Sequence, residues 1–438
     1  MEIYRFIDLE SKNRVINFIN SYFDEIKKQF INKSLNLNYA ESILLSIADG
    51  FFLFNSNEKE IFDEIGYFLC KYIKEDLEKY GIYKYKSLGM LSGFGYTCFC
   101  VNSYSNVTGN LKKFSNTLNN ILLNEVYENV KKYYHQDLCV DKYDLISGIS
   151  GNLYYLLECN FILDCDIKKI KYIVRYLVYL SLYNNEFINY FISKFDSLTN
   201  LEKENSKFKN GSLNFGLSHG IIAPLVAISK AYSLGFIVSE IEVSIKTIYS
   251  LYNNEHFKIK KNGLEFWPSQ ISMDEYLNKT VVKYFVMNSS WCYGNFSIYR
   301  CLYKTLEYCD LSEKNKKIYL ECLYNISTIN IDEHNLLSPS LCHGYAGVLC
   351  QILQCYYETS DYQYLKQISN ILKKIENLYN NNNLMIEKDY TILMDDNNLF
   401  REGFKYDFSL LEGRTGIVLS FLNLFNNNLS YCKLLLID

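Results

Sequence analysis

GYAGVLCQILQCYY, from Gly344 to Tyr357, decides the fold once it is set beside GISGNLYYLLECNFI from Gly148 to Ile162 and GRTGIVLSFLNLF from Gly413 to Phe425. Each opens with a small residue, two others and a second small residue, then continues as about a dozen mostly apolar residues. Looser copies run from Ser92 to Gly95, Gly220 to Ala223 and Gly294 to Ser297, and a worn seventh lies at Ser46 to Asp49, before GFFLF. Successive starts are 46, 56, 72, 74, 50 and 69 residues apart. Recurrence on that scale marks an array of one supersecondary unit, although the length alone would also suit about three average domains.

Between the motifs lie stretches such as IFDEIGYFLCKYIKEDLEKY and VTGNLKKFSNTLNNILLNEVYENVKKYY, where apolar residues recur at three and four with charges between them. Each unit therefore reads as an amphipathic helix, a loop, and a more apolar helix that begins at the Gly motif. Small residues at that start let helix ends approach closely and leave backbone N–H groups facing a shared space. Seven such pairs predict an all-α protein in two layers, the apolar helices inside. Periodicity does not distinguish a closed ring from an open solenoid. Only 3 prolines interrupt the chain. Two segments break the pattern. The run from His256 to Val286, with its alternating polarity, β-branched residues and Trp267-Pro268 pair, predicts extended structure. The polar tract from Asn380 to Asn383 predicts a surface loop.

Lys plus Arg 45 against Asp plus Glu 49 leaves a net charge of -4, without the basic excess that draws proteins to phosphate backbones, so nucleic acid is excluded as a partner. The opening MEIYRFIDLESKNR lacks the basic start and apolar run of a secretion signal. No apolar stretch reaches the ~18 residues that span a bilayer. A soluble, cytoplasmic protein is expected. The 14 cysteines are scattered through apolar stretches with no CxxC pair, as suits reduced, buried thiols.

The chemistry lies at the motifs. Cys292 stands two residues before Gly294 and Cys342 two before Gly344, so they occupy equivalent positions in consecutive units, and His343 adjoins Cys342. If neighbouring units pack side by side, two thiolates and one imidazole converge, the donor set of a catalytic zinc site with one open position. The plainer alternative is ordinary buried cysteines and a satisfied histidine. His219 immediately precedes Gly220, and Asp144 lies four residues before Gly148, where it would equally serve as a helix N-cap. Glu412, before Gly413, is favoured near a helix start in any case. His135, His256 and His334 fall in polar contexts and are expected at the surface.

WCYG from Trp291, CHGYAG from Cys342, GLSHG from Gly216, YDLISGISG from Tyr143, the late LEGRTG and the terminal LLLID closely resemble the lanthionine synthetase C-like family, the lanthipeptide cyclases. The resemblance covers essentially the whole chain. It implies an α/α toroid of seven helical hairpins, with 1–438 as a single domain and 256–286 as a strand-containing insertion. It implies a cyclase that forms thioether rings on a ribosomal peptide whose Ser and Thr have been dehydrated. Zn²⁺ would be the cofactor, held by Cys292, Cys342 and His343, with His219 and Asp144 as acid/base groups and Trp291, Tyr293, Trp267 and Glu412 as substrate contacts. The implied partners are the dehydrated precursor peptide, its dehydratase and a peptide exporter, through which a cytoplasmic enzyme would meet the membrane. Two positions depart from the pattern: Asn288 stands where cyclases often have Arg, three residues before the Trp, and Ser297 stands where Gly is usual.

Two thiolates and a neutral imidazole leave zinc formally uncharged, which keeps a coordinated substrate sulfur deprotonated yet electron-rich. Its addition to the β-carbon of a dehydroalanine or dehydrobutyrine creates an enolate that must be protonated at the α-carbon. His219 and Asp144 would divide that proton work, in an order the motifs leave open. A glutathione-type thiol adduct enzyme, a zinc-stabilised peptide-binding toroid, and a carbohydrate-active enzyme using Asp144 and Glu412 are the alternatives. The strand-like excursion would act as a peptide-holding flap, with Phe266, Trp267 and Tyr284 as apolar contacts.

Overall fold

The computed structural model describes residues 3–91, 93–159, 164–182, 191–198, 200–204, 206–281, 288–309, 312–380 and 407–438. Along them, amphipathic and buried helices alternate as seven pairs, distributed over two compact units.

The first unit comprises Met1–Lys86, Tyr96–Asn116 and Ile326–Asp438. In it, Leu9–Ile31 leads into Ala40–Gly50, Ser56–Tyr80 leads into most of Phe94–Thr108, Ile368–Asn380 is followed by Arg414–Leu422, and Tyr345–Thr359 is a fourth buried helix. The sequence explains the division of labour. Ile368–Asn380 buries only Ile368, Ile371, Leu372 and Ile375, a single stripe at helical spacing, whereas every residue of Arg414–Leu422 is buried. Ser56–Tyr80 starts at a reciprocal cap, in which Asn55 accepts the Glu58 amide and Glu58 accepts that of Asn55. It stops at Gly81, whose φ of +66° few other residues adopt.

The first and last helix pairs are neighbours within this unit. Ala40–Gly50 packs on Arg414–Leu422, and Leu9–Ile31 on both Arg414–Leu422 and Ile368–Asn380. The Tyr22 hydroxyl meets Thr415 Oγ1 at 2.7 Å. Buried Asp49 accepts the amides of Ser430 and Tyr431 at 2.8 and 3.0 Å, capping the C-terminal helix Ser430–Leu434; burial pushes its carboxyl up to about 6 against the pull of those amides. The worn motif needs correction: Ser46 to Asp49 form the end of Ala40–Gly50, not the start of a helix, and the pair is complete without a Gly motif.

The second unit comprises Ser87–Gly95 and Thr117–Asn325. Most of Lys112–Tyr133 precedes Ile149–Leu156, Asp164–Ser181 precedes Ile222–Ser233, Ile241–Tyr252 precedes Asn295–Cys309, and most of Glu313–Thr328 closes the unit. Ile222–Ser233 sits between Ile149–Leu156 and Asn295–Cys309 and touches both. Four three-residue strands occur among its described residues: β1 (Ser212–Asn214), β2 (Ile259–Lys261), β3 (Leu264–Phe266) and β4 (Gln270–Ser272). β2 and β3 form a hairpin through Asn262 and Gly263, both at positive φ, and β4 pairs antiparallel with β1. The expectation of extended structure from His256 to Val286 is therefore only partly met. Met273–Asn278 is an α-helix, nucleated by a Ser272/Glu275 capping box that the alternation concealed. Residues 282–286, including Tyr284, lie outside the described residues, as do 381–383 of the polar tract, whose Asn380 ends a helix.

Among the described residues no helix is long and apolar enough to cross a membrane, and the described cysteines are free thiols. His135 and His256 are exposed, but His334 is not. A capping box between Asn330 and Glu333 winds its polar segment into a 3₁₀ turn that drives the imidazole inward, edge-on to Tyr345. Neither ring nitrogen has a hydrogen-bond partner, and burial pushes the group down to about 4.

Candidate active site

Five of the loops that open the buried helices are closed by one recurring device. Six residues before the motif glycine, Ser87, Asn214, Asn288, Ser338 and Asp407 each accept, through the side chain, the amide two residues on, at 2.7 to 3.2 Å. The carbonyls of the same five residues accept the amides of Phe94, Ile221, Asn295, Tyr345 and Arg414, the residues just after the glycine. Each loop is thus folded back on itself. A Cβ on Gly294 or Gly344 would lie 2.3 Å from the loop's own backbone, so only glycine closes it. Cys292 and Cys342 consequently occupy the same place in two such brackets.

Asn288 is part of this closure. It is buried, and its Oδ1 accepts both the amide and the hydroxyl of Ser290. The departure from Arg at this position therefore exchanges a cation for a loop-closing amide, the job that Asn214 performs one unit earlier.

In the second unit three brackets stack. The Cys292 carbonyl accepts the amides of Leu217 and Ser218 at 2.7 and 3.1 Å, and the Ser218 carbonyl accepts the Leu145 amide at 3.3 Å. This brings His219 and Asp144 together: Nδ1 of His219 lies 2.5 Å from Oδ2 of Asp144. The other carboxylate oxygen accepts the amides of Ser147 and Gly148 at 2.8 and 2.6 Å. Asp144 thus combines the loop-capping and histidine-holding roles that the sequence had set as alternatives. Its carboxyl is raised by complete burial, against the opposing pull of His219 and the two amides. Burial alone would lower His219, yet it is raised, because the Asp144 hydrogen bond and charge, with Cys292 and Glu202 assisting, outweigh desolvation. The Tyr293 ring lies 6.5 Å from that of His219, and its hydroxyl accepts Nδ2 of Asn214 at 3.4 Å.

In the Cys342 bracket, the Cys342 amide donates to the Leu411 carbonyl at 2.9 Å, and Nε2 of His343 lies 3.8 Å from Oε1 of Glu412. Cys292 lies in the second unit, and Cys342 and His343 lie in the first. Both thiols are buried, while the His343 side chain is 32% exposed. The donor set fits zinc.

Other expected site residues are placed differently. Trp291 is fully buried beside Cys292 in sequence and offers no surface. Trp267 and Phe266 are buried as well, Trp267 donating Nε1–H to the Tyr252 carbonyl at 3.0 Å and meeting Tyr299 edge-on at 4.9 Å. Their expected role as apolar contacts for a peptide is corrected to packing: a large aromatic next to proline is drawn into the core where its N–H finds a carbonyl. Asn214 and Ser290, the latter with its hydroxyl 3.6 Å from the Cys292 sulfur, escaped the sequence reading. The recurrence of Asn, Asp or Ser six residues before five of the glycines was the available signal.

These features define a protein of paired helices that carries Cys292 and Cys342 at equivalent places on glycine-closed loops, His343 beside the second of them, and a buried Asp144 that holds the half-buried His219. The chain belongs to the lanthionine synthetase C-like family, whose sequence model matches residues 50–437. Nisin biosynthesis protein NisC of Lactococcus lactis subsp. lactis is 23% identical over 244 residues, 54% of this chain and 55% of that protein, so the match spans about half the length of this curated relative. A solved nisin cyclase superposes with a TM-score of 0.75 at 19% identity, covering 96% of this chain and 97% of that one. The fold is accordingly the α/α toroid that the family resemblance implied.

Proposed function

We propose that the chain, acting as one lanthionine synthetase C-like domain, is a zinc-dependent cyclase that adds cysteine thiols of a dehydrated precursor peptide to dehydroalanine or dehydrobutyrine. The equivalent placement of Cys292 and Cys342 in two glycine-closed loops, with His343 beside the second, carries this reading. Those three residues would hold the ion, which when bound supplies acidity to an incoming thiol.

The remaining work falls to the chain's own groups. Asp144 accepts the Nδ1 proton of His219 and so turns Nε2 toward the partly open side of the loop. Sulfur addition at the β-carbon forms one C–S bond and moves the alkene electrons to the α-carbon. Protonated His219 delivers a proton there, and Asp144 stabilises the imidazolium until it does. Sulfur loses one proton and carbon gains one, so the peptide mass is unchanged. Tyr293, close to His219, lines the same side. Incubation with a dehydrated peptide, followed by thiol alkylation and mass analysis, tests the reading. Loss of alkylatable thiols with unchanged peptide mass supports it, and thiols that stay fully alkylatable with zinc-loaded protein would sink it.

A further inference from the structure

The His343 imidazole has a carboxylate beside it. The Cys342 amide donates to the Leu411 carbonyl, and this single backbone bond sets the next residue of each loop, His343 and Glu412, side by side. Their facing atoms are Nε2 and Oε1, 3.8 Å apart. The Glu412 loop is itself closed: Asp407 accepts the Ser409 amide through its side chain and the Arg414 amide through its carbonyl. Glu412 precedes the extended Gly413 that caps the following helix, so it lies outside the first helical turn where the helix field alone would explain a carboxylate.

We propose that Glu412 is a positioning residue that accepts the Nε2 proton of His343 and so leaves the Nδ1 lone pair for the metal ion. A neutral imidazole carries one proton. Whichever nitrogen holds it cannot bind metal, and a carboxylate at Nε2 fixes the choice. The same charge raises the basicity of the ring, which suits a site whose task is to keep a sulfur electron-rich. This inference rests on the metal reading above.

The test compares Zn²⁺ affinity, by chelator competition, in wild type, Glu412→Ala and Glu412→Gln, with the visible absorption of the Co²⁺-loaded proteins as a second readout. Glu412→Ala is expected to bind Zn²⁺ roughly 10- to 100-fold more weakly and to shift the Co²⁺ bands, and Glu412→Gln, which keeps an acceptor, to recover part of both. Equal affinities and superimposable Co²⁺ spectra in all three would overturn the proposal, as would normal Zn²⁺ binding with weakened peptide binding. Should Glu412→Ala lose its helical signal, Glu412→Gln alone decides, wild-type values refuting. Failure of wild type to bind Zn²⁺ would instead refute the metal reading itself.

Discussion

Asp144 holds His219 at 2.5 Å through one carboxylate oxygen and spends the other on two backbone amides. The carboxylate cannot turn away from the imidazole without leaving two amides unpaired in a buried loop, so the pair is fixed by its own capping bonds. Asn at position 144 keeps an acceptor for the loop but removes the charge.

The charge sets the proton affinity of His219, which stands raised in its presence. In Asp144→Asn the imidazole should lose its proton at lower pH, so the alkaline limb of the cyclisation rate should move toward acid. His219→Asn should slow cyclisation roughly 10²- to 10⁴-fold with zinc retained. Unchanged profiles in both variants would remove these residues from the chemistry. Loss of zinc in His219→Asn would make His219 a fourth ligand.

Metal analysis of the purified wild type is expected to give about one zinc per chain, and each of Cys292→Ala and Cys342→Ala to lose most of it. Zinc retained near that level in both cysteine variants would refute the ligand assignment.

Asn288 closes the Cys292 loop, and the other brackets show which side chains do this job: Ser at 87 and 338, Asp at 407. Asn288→Ser should therefore fold and bind metal nearly as wild type. Asn288→Ala leaves the Ser290 amide without its acceptor and should cost about 1–3 kcal/mol, read by urea unfolding. Asn288→Arg, which restores the residue common in cyclases, must place a guanidinium where the present residue is only 2% exposed, and should destabilise more than Ala. A stable, more active Asn288→Arg would show that the loop is freer than its closure suggests.

How far the sequence could be read follows from what each feature depends on. The seven pairs were legible because the buried helices are apolar throughout while their partners carry one stripe, as in Arg414–Leu422 beside Ile368–Asn380. The first pair misled, since Ser46 to Asp49 resemble the motif in residue size but close no loop. Equivalent spacing before Gly294 and Gly344 brought Cys292 and Cys342 into view, whereas Glu412 reaches His343 through a backbone bond between Cys342 and Leu411 that no spacing encodes. Trp267 was misread because burial of an aromatic depends on the partner that receives its N–H, here the Tyr252 carbonyl fifteen residues earlier. His334 was misread for a similar reason, its polar neighbours facing out while the ring faces in.

His334 makes acid stability testable. Unfolded, the imidazole titrates near 6.5; folded, burial holds it down to about 4. Between those values the unfolded chain binds the extra proton, so stability falls as pH drops from 6.5 toward 4, and it is unaffected above that window. Two and a half pH units correspond to about 3 kcal/mol at full effect, a substantial share of the margin that keeps a domain folded. Phe fits the shape of the ring, preserves the edge-on contact with Tyr345 and carries no titratable nitrogen. Urea unfolding of wild type and His334→Phe at pH 7, 5.5 and 4.5 should therefore give two curves whose separation grows in favour of the variant as the solution becomes more acidic. Asp49 does not counterfeit this result, because it is present in both proteins and its raised carboxyl loses stability in the opposite direction, as pH rises through about 6. A constant separation across the three pH values would mean that His334 finds water or a partner in solution and keeps an ordinary proton affinity.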